Sequence, residues 1–266
     1  MKCLRDKRLW LLDMDGTLYL GDSLFPGVPQ FLRAIRESGG QYLYLTNNSS
    51  RGTDAYIYRL KHFGILAKPE EFLTSADAAI DLLKKEQPGK KGFVVGTVSL
   101  MGQMEEAGLS VSGEDWQSAD YLLIGFDREL TFRKLEDTCR LLAERPDIPY
   151  YATNPDWVCP TEFGSVPDCG SICEMIFRAS GKRPRIIGKP ETAMLELAME
   201  RTGVSREDTV VIGDRIYTDI ASGANAGIDS VFVLSGEGTM ADIDSFGITP
   251  TWIFPSVLEV AEEILH

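Results

Sequence analysis

The chain has 266 residues, 44% of them hydrophobic and 25% charged, with 25 glycines and 13 prolines. This composition excludes disordered, collagen-like and fibrous proteins, and the length can bury a sizeable core in one or two domains. Forty acidic against 27 basic side chains give a formal charge of −13, which argues against a nucleic-acid partner, since that affinity comes from Lys and Arg displacing counterions.

At the N-terminus Lys2, Arg5, Lys7 and Arg8 precede only Leu9-Trp10-Leu11-Leu12, an apolar run too short for a secretory signal. Arg8–Leu12 reads instead as a buried strand that ends at Asp13. Val28, Phe31, Leu32 and Ile35 fall at i, i+3, i+4 and i+7, the stripe of an amphipathic helix stopped by Gly39-Gly40. Gln41–Leu45 is a second strand, a helix after Thr53 turns Tyr56, Leu60 and Phe63 inward, and Phe72–Thr74 is a third strand. The middle hundred residues hold strands at Gly92–Val95, Tyr121–Gly125 and Pro149–Thr153 and a helix over Thr131–Arg145. The first pattern then resumes with a strand at Arg185–Ile187, a helix over Glu191–Arg201, a strand at Thr209–Ile212, a small-residue helix near Ile220 to Ala226 and a strand at Ser230–Leu234. Alternating strands and helices imply a parallel sheet. The expected division is a core of residues 1–79 and 184–266 interrupted by an inserted domain of residues 80–183.

No apolar run approaches the roughly 18 residues that cross a bilayer, so a cytoplasmic protein without a membrane partner is expected, as a monomer or homodimer. The five cysteines, an odd number, suit a reducing compartment. Cys159, Cys169 and Cys173 lie close in sequence. With no C-x-x-C pair, and only His62 and His266 as histidines, they read as ordinary thiols rather than a zinc site.

Four segments that could carry chemistry each sit where a strand should end. In Asp13-Met14-Asp15-Gly16-Thr17 the two acids are two residues apart, so in extended chain they face one way, and Gly16 permits a sharp turn. Thr46-Asn47-Asn48 offers a hydroxyl and backbone N–H groups. Gly188-Lys189-Pro190 places a lysine before an expected helix start, with Pro at a tolerated early position. Gly213-Asp214…Asp219 adds two acids. Open parallel sheets bind ligands at the carboxyl ends of their strands. Brought together there, four carboxylates need cations: Lys189 supplies one charge and a hard divalent ion such as Mg²⁺ the rest. Such a site suits phosphoryl transfer, with one Asp attacking phosphorus and a second handling protons.

These four segments, in this order, resemble the motifs of the haloacid dehalogenase-like superfamily, and Leu43–Ser50 with Ala152-Thr153-Asn154-Pro155-Asp156 resembles its NagD-like, p-nitrophenyl phosphatase-type branch. The resemblance covers nearly the whole chain. It implies an α/β fold: a Rossmann-like, doubly wound parallel sheet core with an inserted α/β cap domain between the second and third motifs. The spacing agrees, with no room for a cap between Asp15 and Thr46 and ample room between Thr46 and Lys189. Carried over residue by residue, Asp13 is the nucleophile and Asp15 the general acid and base. Asp13, the Asp15 carbonyl and Asp214 hold Mg²⁺, Asp219 stands behind them, and Thr46, Asn47 and Lys189 bind the phosphate. In the cap, Pro167-Asp168-Cys169-Gly170 departs from the Pro-Gly-x-Gly common in that branch.

The resulting expectation is a Mg²⁺-dependent phosphatase acting on small soluble phosphomonoesters of nucleotide or sugar-phosphate type, with a small phosphorylated metabolite as its partner. A phosphotransferase or mutase on the same core, and a non-catalytic phosphate-binding relative, are the alternatives. Asn154, Asp156 and Trp157 are candidates for a substrate-reading cap loop. Gly236-Glu237-Gly238-Thr239-Met240-Ala241 fits a loose dinucleotide fingerprint, but too little chain follows it for that site; it reads as a loop.

Overall fold

A computed structural model describes residues 3–161 and 163–265; Lys2 and His266 lie outside them. In chain order the elements begin with β1 (Leu9–Asp13), β2 (Tyr19–Leu20), β3 (Ser23–Leu24), α1 (Val28–Glu37), β4 (Gln41–Thr46), α2 (Thr53–His62) and β5 (Phe72–Thr74). There follow α3 (Ser75–Glu86), β6 (Lys91–Val95), α4 (Val98–Glu106), β7 (Ser110–Ser112), β8 (Tyr121–Ile124), α5 (Phe132–Glu144) and β9 (Tyr150–Ala152). Next come β10 (Val158–Thr161), β11 (Gly164–Pro167), α6 (Cys169–Ser180), β12 (Arg185–Ile186), α7 (Ala193–Thr202) and β13 (Thr209–Gly213). The chain closes with α8 (Ala221–Ala226), β14 (Asp229–Val233), α9 (Met240–Phe246), β15 (Trp252–Phe254) and α10 (Val257–Leu265).

The chain divides into two compact units. The first comprises the chain up to Thr46, Ile57–Leu73 and the chain from Lys189 onward. Its sheet has the order β15-β14-β13-β1-β4-β5, with β15, β14, β13, β1 and β4 parallel. Leu9, Trp10, Leu11 and Leu12 of β1 are all buried, as a parallel strand covered on both faces requires. Trp10 meets Phe31 of α1 edge to face at 5.5 Å. Further along, α1 lies against α10, its Val28, Phe31 and Ile35 buried like Val257, Val260 and Ile264. Strand order reverses between β1 and β13, the position where doubly wound sheets open a crevice. Asp13 ends one of these strands and Gly213-Asp214 follows the other.

The second unit, Asn47–Tyr56 and Thr74–Gly188, has its own parallel sheet in the order β12-β9-β8-β6-β7. Phe93, Val95, Leu122, Ile124, Leu141 and Ile172 centre its core. Its helices begin on side-chain caps: Thr74 exchanges bonds with Asp77, and Thr131 accepts from the Lys134 N–H. Cys169 and Cys173 of α6 are buried in this core.

Two expectations are corrected. Arg185–Ile186 does not rejoin the first sheet; it pairs with Tyr151 and Ala152 of β9. The division therefore falls at Gly188/Lys189 and, on the N-terminal side, before α3, while Asn47–Tyr56 belongs with the second unit. The helix expected from Glu191 starts at Ala193, so Pro190 precedes it rather than occupying its first turn; the Lys189–Pro190 peptide is cis. Among the described residues, no helix is long and apolar enough to cross a membrane.

Candidate active site

The first unit gathers the core motifs at the carboxyl ends of its strands. Asp13, the last residue of β1, pairs in register with Leu45 of β4, which puts buried Thr46 just beyond it. Lys189 is buried, and its ammonium donates to Asp13 Oδ1 at 2.5 Å and to Asp219 Oδ1 at 2.6 Å. The Thr17 hydroxyl donates to the other Asp13 oxygen at 3.3 Å. Carboxylate oxygens of Asp13, Asp214 and Asp219 lie within 4.8 Å of one another. Asp219 Oδ2 accepts from the Arg215 N–H and the Thr218 hydroxyl, so both its oxygens are engaged, as suits a residue behind the ligands. Asp214 is buried; its Oδ2 accepts the Glu237 N–H at 2.7 Å, whereas its Oδ1 is buried without a hydrogen-bond partner.

The electrostatics follow from this crowding. Burial, and then Asp219, push the Asp13 carboxyl well above the usual range, against the pull of Lys189. Burial and Asp219 likewise raise Asp214 to about 6. For Lys189, burial acts to lower the value, but Asp13 and Asp219 outweigh it and the ammonium is held above its ordinary range. Lys189, even with the Arg215 guanidinium acting on Asp214, does not balance three carboxylates. An all-oxygen donor set with an unbonded buried Asp214 oxygen fits a hard divalent cation.

A consequence for stability follows without any cation bound. Asp214 has a folded pKa near 6, above an unfolded value near 4. Its contribution is therefore fully favourable below about pH 4, where both states are protonated, and is lost as pH rises through 6. Asp214→Asn should stabilise the chelator-treated protein at pH 7–8 by up to roughly 3 kcal/mol and change little at pH 4. Urea unfolding at the two pH values checks this; a loss of stability at pH 8 would contradict it.

Asp15 is not in that cluster. Its side chain is 45% exposed, with the Arg59 guanidinium 3.9 Å from Oδ1. Arg59 also reaches Asp22 at 3.3 Å and lies over the Tyr19 ring at 5.0 Å. Loss of solvent raises the Asp15 carboxyl while Arg59, Arg215 and Lys189 pull it down. The motifs therefore understate the positive charge: Arg59 on α2 carries no motif signal, and Arg215 lies inside a motif that draws attention only to its acids.

Asn47, Asn154 and Asp156 come together in the second unit, and their bonds give Asn154 a structural role beside the substrate-reader expectation. That residue is 0% exposed. Its amide donates to the Asn47 carbonyl at 2.7 Å, and its side-chain oxygen accepts the Asp156 N–H at 3.0 Å. The Ser75 hydroxyl donates to the same Asn47 carbonyl, and the Asn47 amide donates to Asp156 Oδ2 at 3.1 Å. A Cβ on Gly188 would stand 2.7 Å from Asn47 Oδ1, so that glycine leaves the space the clamp occupies. Asn154 thus fixes the Asn47–Asn48 peptide, while Trp157 is 58% exposed. Asn154→Ala should cost about 1–3 kcal/mol of stability for the two bonds lost and weaken every substrate by a similar factor. A panel of phosphate esters checks it; a reordered preference would restore the reader role.

A haloacid dehalogenase-like hydrolase family model matches residues 10–110, and a HAD-hydrolase-like model matches residues 186–260. An acid sugar phosphatase of Staphylococcus aureus is 33% identical over 98% of this chain and 99% of its own length. The chain belongs to the haloacid dehalogenase-like hydrolases. The crystal structure of a 4-nitrophenylphosphatase from Thermotoga maritima is 35% identical, covers 99% of this chain and 100% of that one, and superposes with a TM-score of 0.91. A glycerol phosphate phosphatase from Mycobacterium tuberculosis, solved in complex with magnesium, is 30% identical over 97% of this chain and 78% of its own, with a TM-score of 0.87. Within the family, the chain stands in the NagD-like, p-nitrophenyl phosphatase-type branch.

Proposed function

We propose that this protein is a Mg²⁺-dependent phosphatase that hydrolyses small phosphomonoesters through an aspartyl-phosphate. The observation that carries the reading is Lys189 bridging Asp13 and Asp219 beside a buried, unbonded Asp214 oxygen. The relatives named for phosphatase activity support the same reaction class, and the acid sugar phosphatase supports the sugar-phosphate side of the substrate range.

Asp13 attacks phosphorus, a P–O bond forms to its carboxylate, and the ester oxygen leaves with a proton from Asp15. Water then attacks the aspartyl-phosphate, Asp15 takes its proton, and phosphate leaves. Thr46 and Asn47 hold the phosphoryl oxygens, and Lys189 offsets their charge. Asp13, Asp214 and the Asp15 carbonyl would hold Mg²⁺, which supplies charge neutralisation at the phosphoryl group. The inserted domain, with Trp157 exposed on it, discriminates among leaving groups.

Phosphate release from p-nitrophenyl phosphate should require added Mg²⁺ and fall by at least about tenfold in excess chelator. Undiminished turnover in chelator would sink the metal assignment. No release from any ester under saturating Mg²⁺ would favour a phosphate-binding relative.

A further inference from the structure

The segment Ser235–Gly238, which belongs to none of the four motifs, closes over Asp214. A Cβ built on Gly236 would stand 2.0 Å from Asp214 Oδ2, 2.5 Å from its Cγ and 2.7 Å from the Gly16 carbonyl oxygen. On Gly16, where φ is +88°, a Cβ would stand 2.3 Å from the same Oδ2. The Asp214 carboxylate is therefore held between two stretches of backbone that only glycine can bring so close. Gly238 repeats the pattern at the main chain, its Cβ position lying 2.2 Å from the Asp214 carbonyl oxygen.

Hydrogen bonds lock the same arrangement. The Glu237 N–H donates to Asp214 Oδ2 at 2.7 Å, the Gly238 N–H to the Asp214 carbonyl at 3.1 Å, and the Ser235 hydroxyl to the Gly16 carbonyl at 2.9 Å. The Glu237 carboxylate pairs instead with Arg215 Nε at 3.0 Å and accepts from the Tyr217 hydroxyl at 3.4 Å. One Asp214 oxygen is thus committed to the loop, and the other is the buried atom without a bond. The Gly-x-Gly after β14 has nothing to do with a dinucleotide; its two glycines fit the loop around one carboxylate.

We propose that Ser235–Gly238 is a positioning loop for the divalent-cation site: it fixes the Asp214 carboxylate so that Oδ1 alone is free to take the ion. This rests on the metal reading above. Mg²⁺ tolerates little departure from octahedral geometry, and partners that orient a ligand change affinity by about 10–100-fold when removed.

The test is direct metal binding to the full chain without substrate, titrating Mn²⁺ and following the free-ion signal by electron paramagnetic resonance. Wild type should bind one Mn²⁺ saturably, and Gly236→Ala should bind it about 10–100-fold more weakly. Wild-type affinity in Gly236→Ala would overturn the positioning role, whereas no saturable binding by wild type would overturn the metal reading beneath it. Folding is controlled by a double-mutant cycle in chelator. The stability penalty of Gly236→Ala should shrink when Asp214→Ala has removed the carboxylate it strikes. Equal penalties in both backgrounds would also overturn the proposal.

Discussion

Asp13→Asn should abolish turnover and leave the fold standing. The amide matches the carboxylate in size, and its oxygen can still accept from Lys189, which donates to Asp13 Oδ1. The amide nitrogen then faces the Thr17 hydroxyl, itself able to accept a hydrogen bond. Folding thus loses little, and one crowded charge disappears from a site where burial and Asp219 already penalise the ionised form. Catalysis loses its nucleophile, because an amide does not form the acyl-phosphate bond. Removing a nucleophile that acts as one unit with its neighbours costs roughly 10⁴-fold or more in kcat. Initial rates on p-nitrophenyl phosphate, with urea unfolding as the fold control, check both halves. A variant that keeps even a tenth of wild-type turnover would move the nucleophile elsewhere.

What the sequence made legible was the framework and the ends of its strands. β1, β4 and β13 are largely apolar runs with Asp13, Thr46 and Asp214 at or just after their ends, so these strand ends are legible to within a residue or two, whereas Lys189 follows the two-residue β12. The sheet of the short β12 is not legible in the sequence, because two residues carry no pattern that distinguishes one parallel neighbour from another; only its pairing with β9 decides. Asn154 is ambiguous in sequence for a different reason. An amide beside a carboxylate and a tryptophan looks the same in sequence whether it faces a substrate or a backbone carbonyl, and burial alone separates the two. Arg59 was invisible, since a lone arginine on an amphipathic helix has no signature until the fold sets it 3.9 Å from Asp15. The Gly-Glu-Gly turn was legible as a loop, but its target, Asp214, is a neighbour in space and not in sequence.

Asp15→Asn should reduce turnover by about 10²–10⁴-fold, the range for losing one general acid–base group, and the loss should depend on the leaving group. Unlike Asp13, Asp15 lies outside the carboxylate cluster, partly exposed and within ion-pair distance of Arg59. That position suits a group that exchanges protons with an ester oxygen and with water, and it leaves the lysine and its two carboxylate partners undisturbed. An alkyl alcohol is a poor leaving group and needs the proton as the P–O bond breaks, whereas p-nitrophenolate leaves readily without one. The first step should therefore suffer on an alkyl phosphate, while p-nitrophenyl phosphate should retain the first step and slow mainly in the water-dependent second. With the second step slowed, phosphate should accumulate on Asp13, visible as a burst of p-nitrophenol close to one per chain in rapid mixing. Arg59→Ala should shift the same balance more weakly, since it removes a neighbour of Asp15 and not the proton donor itself. If Asp15→Asn lost the same factor on alkyl and aryl esters and gave no burst, Asp15 would be a structural carboxylate and the proton would have to come from another group.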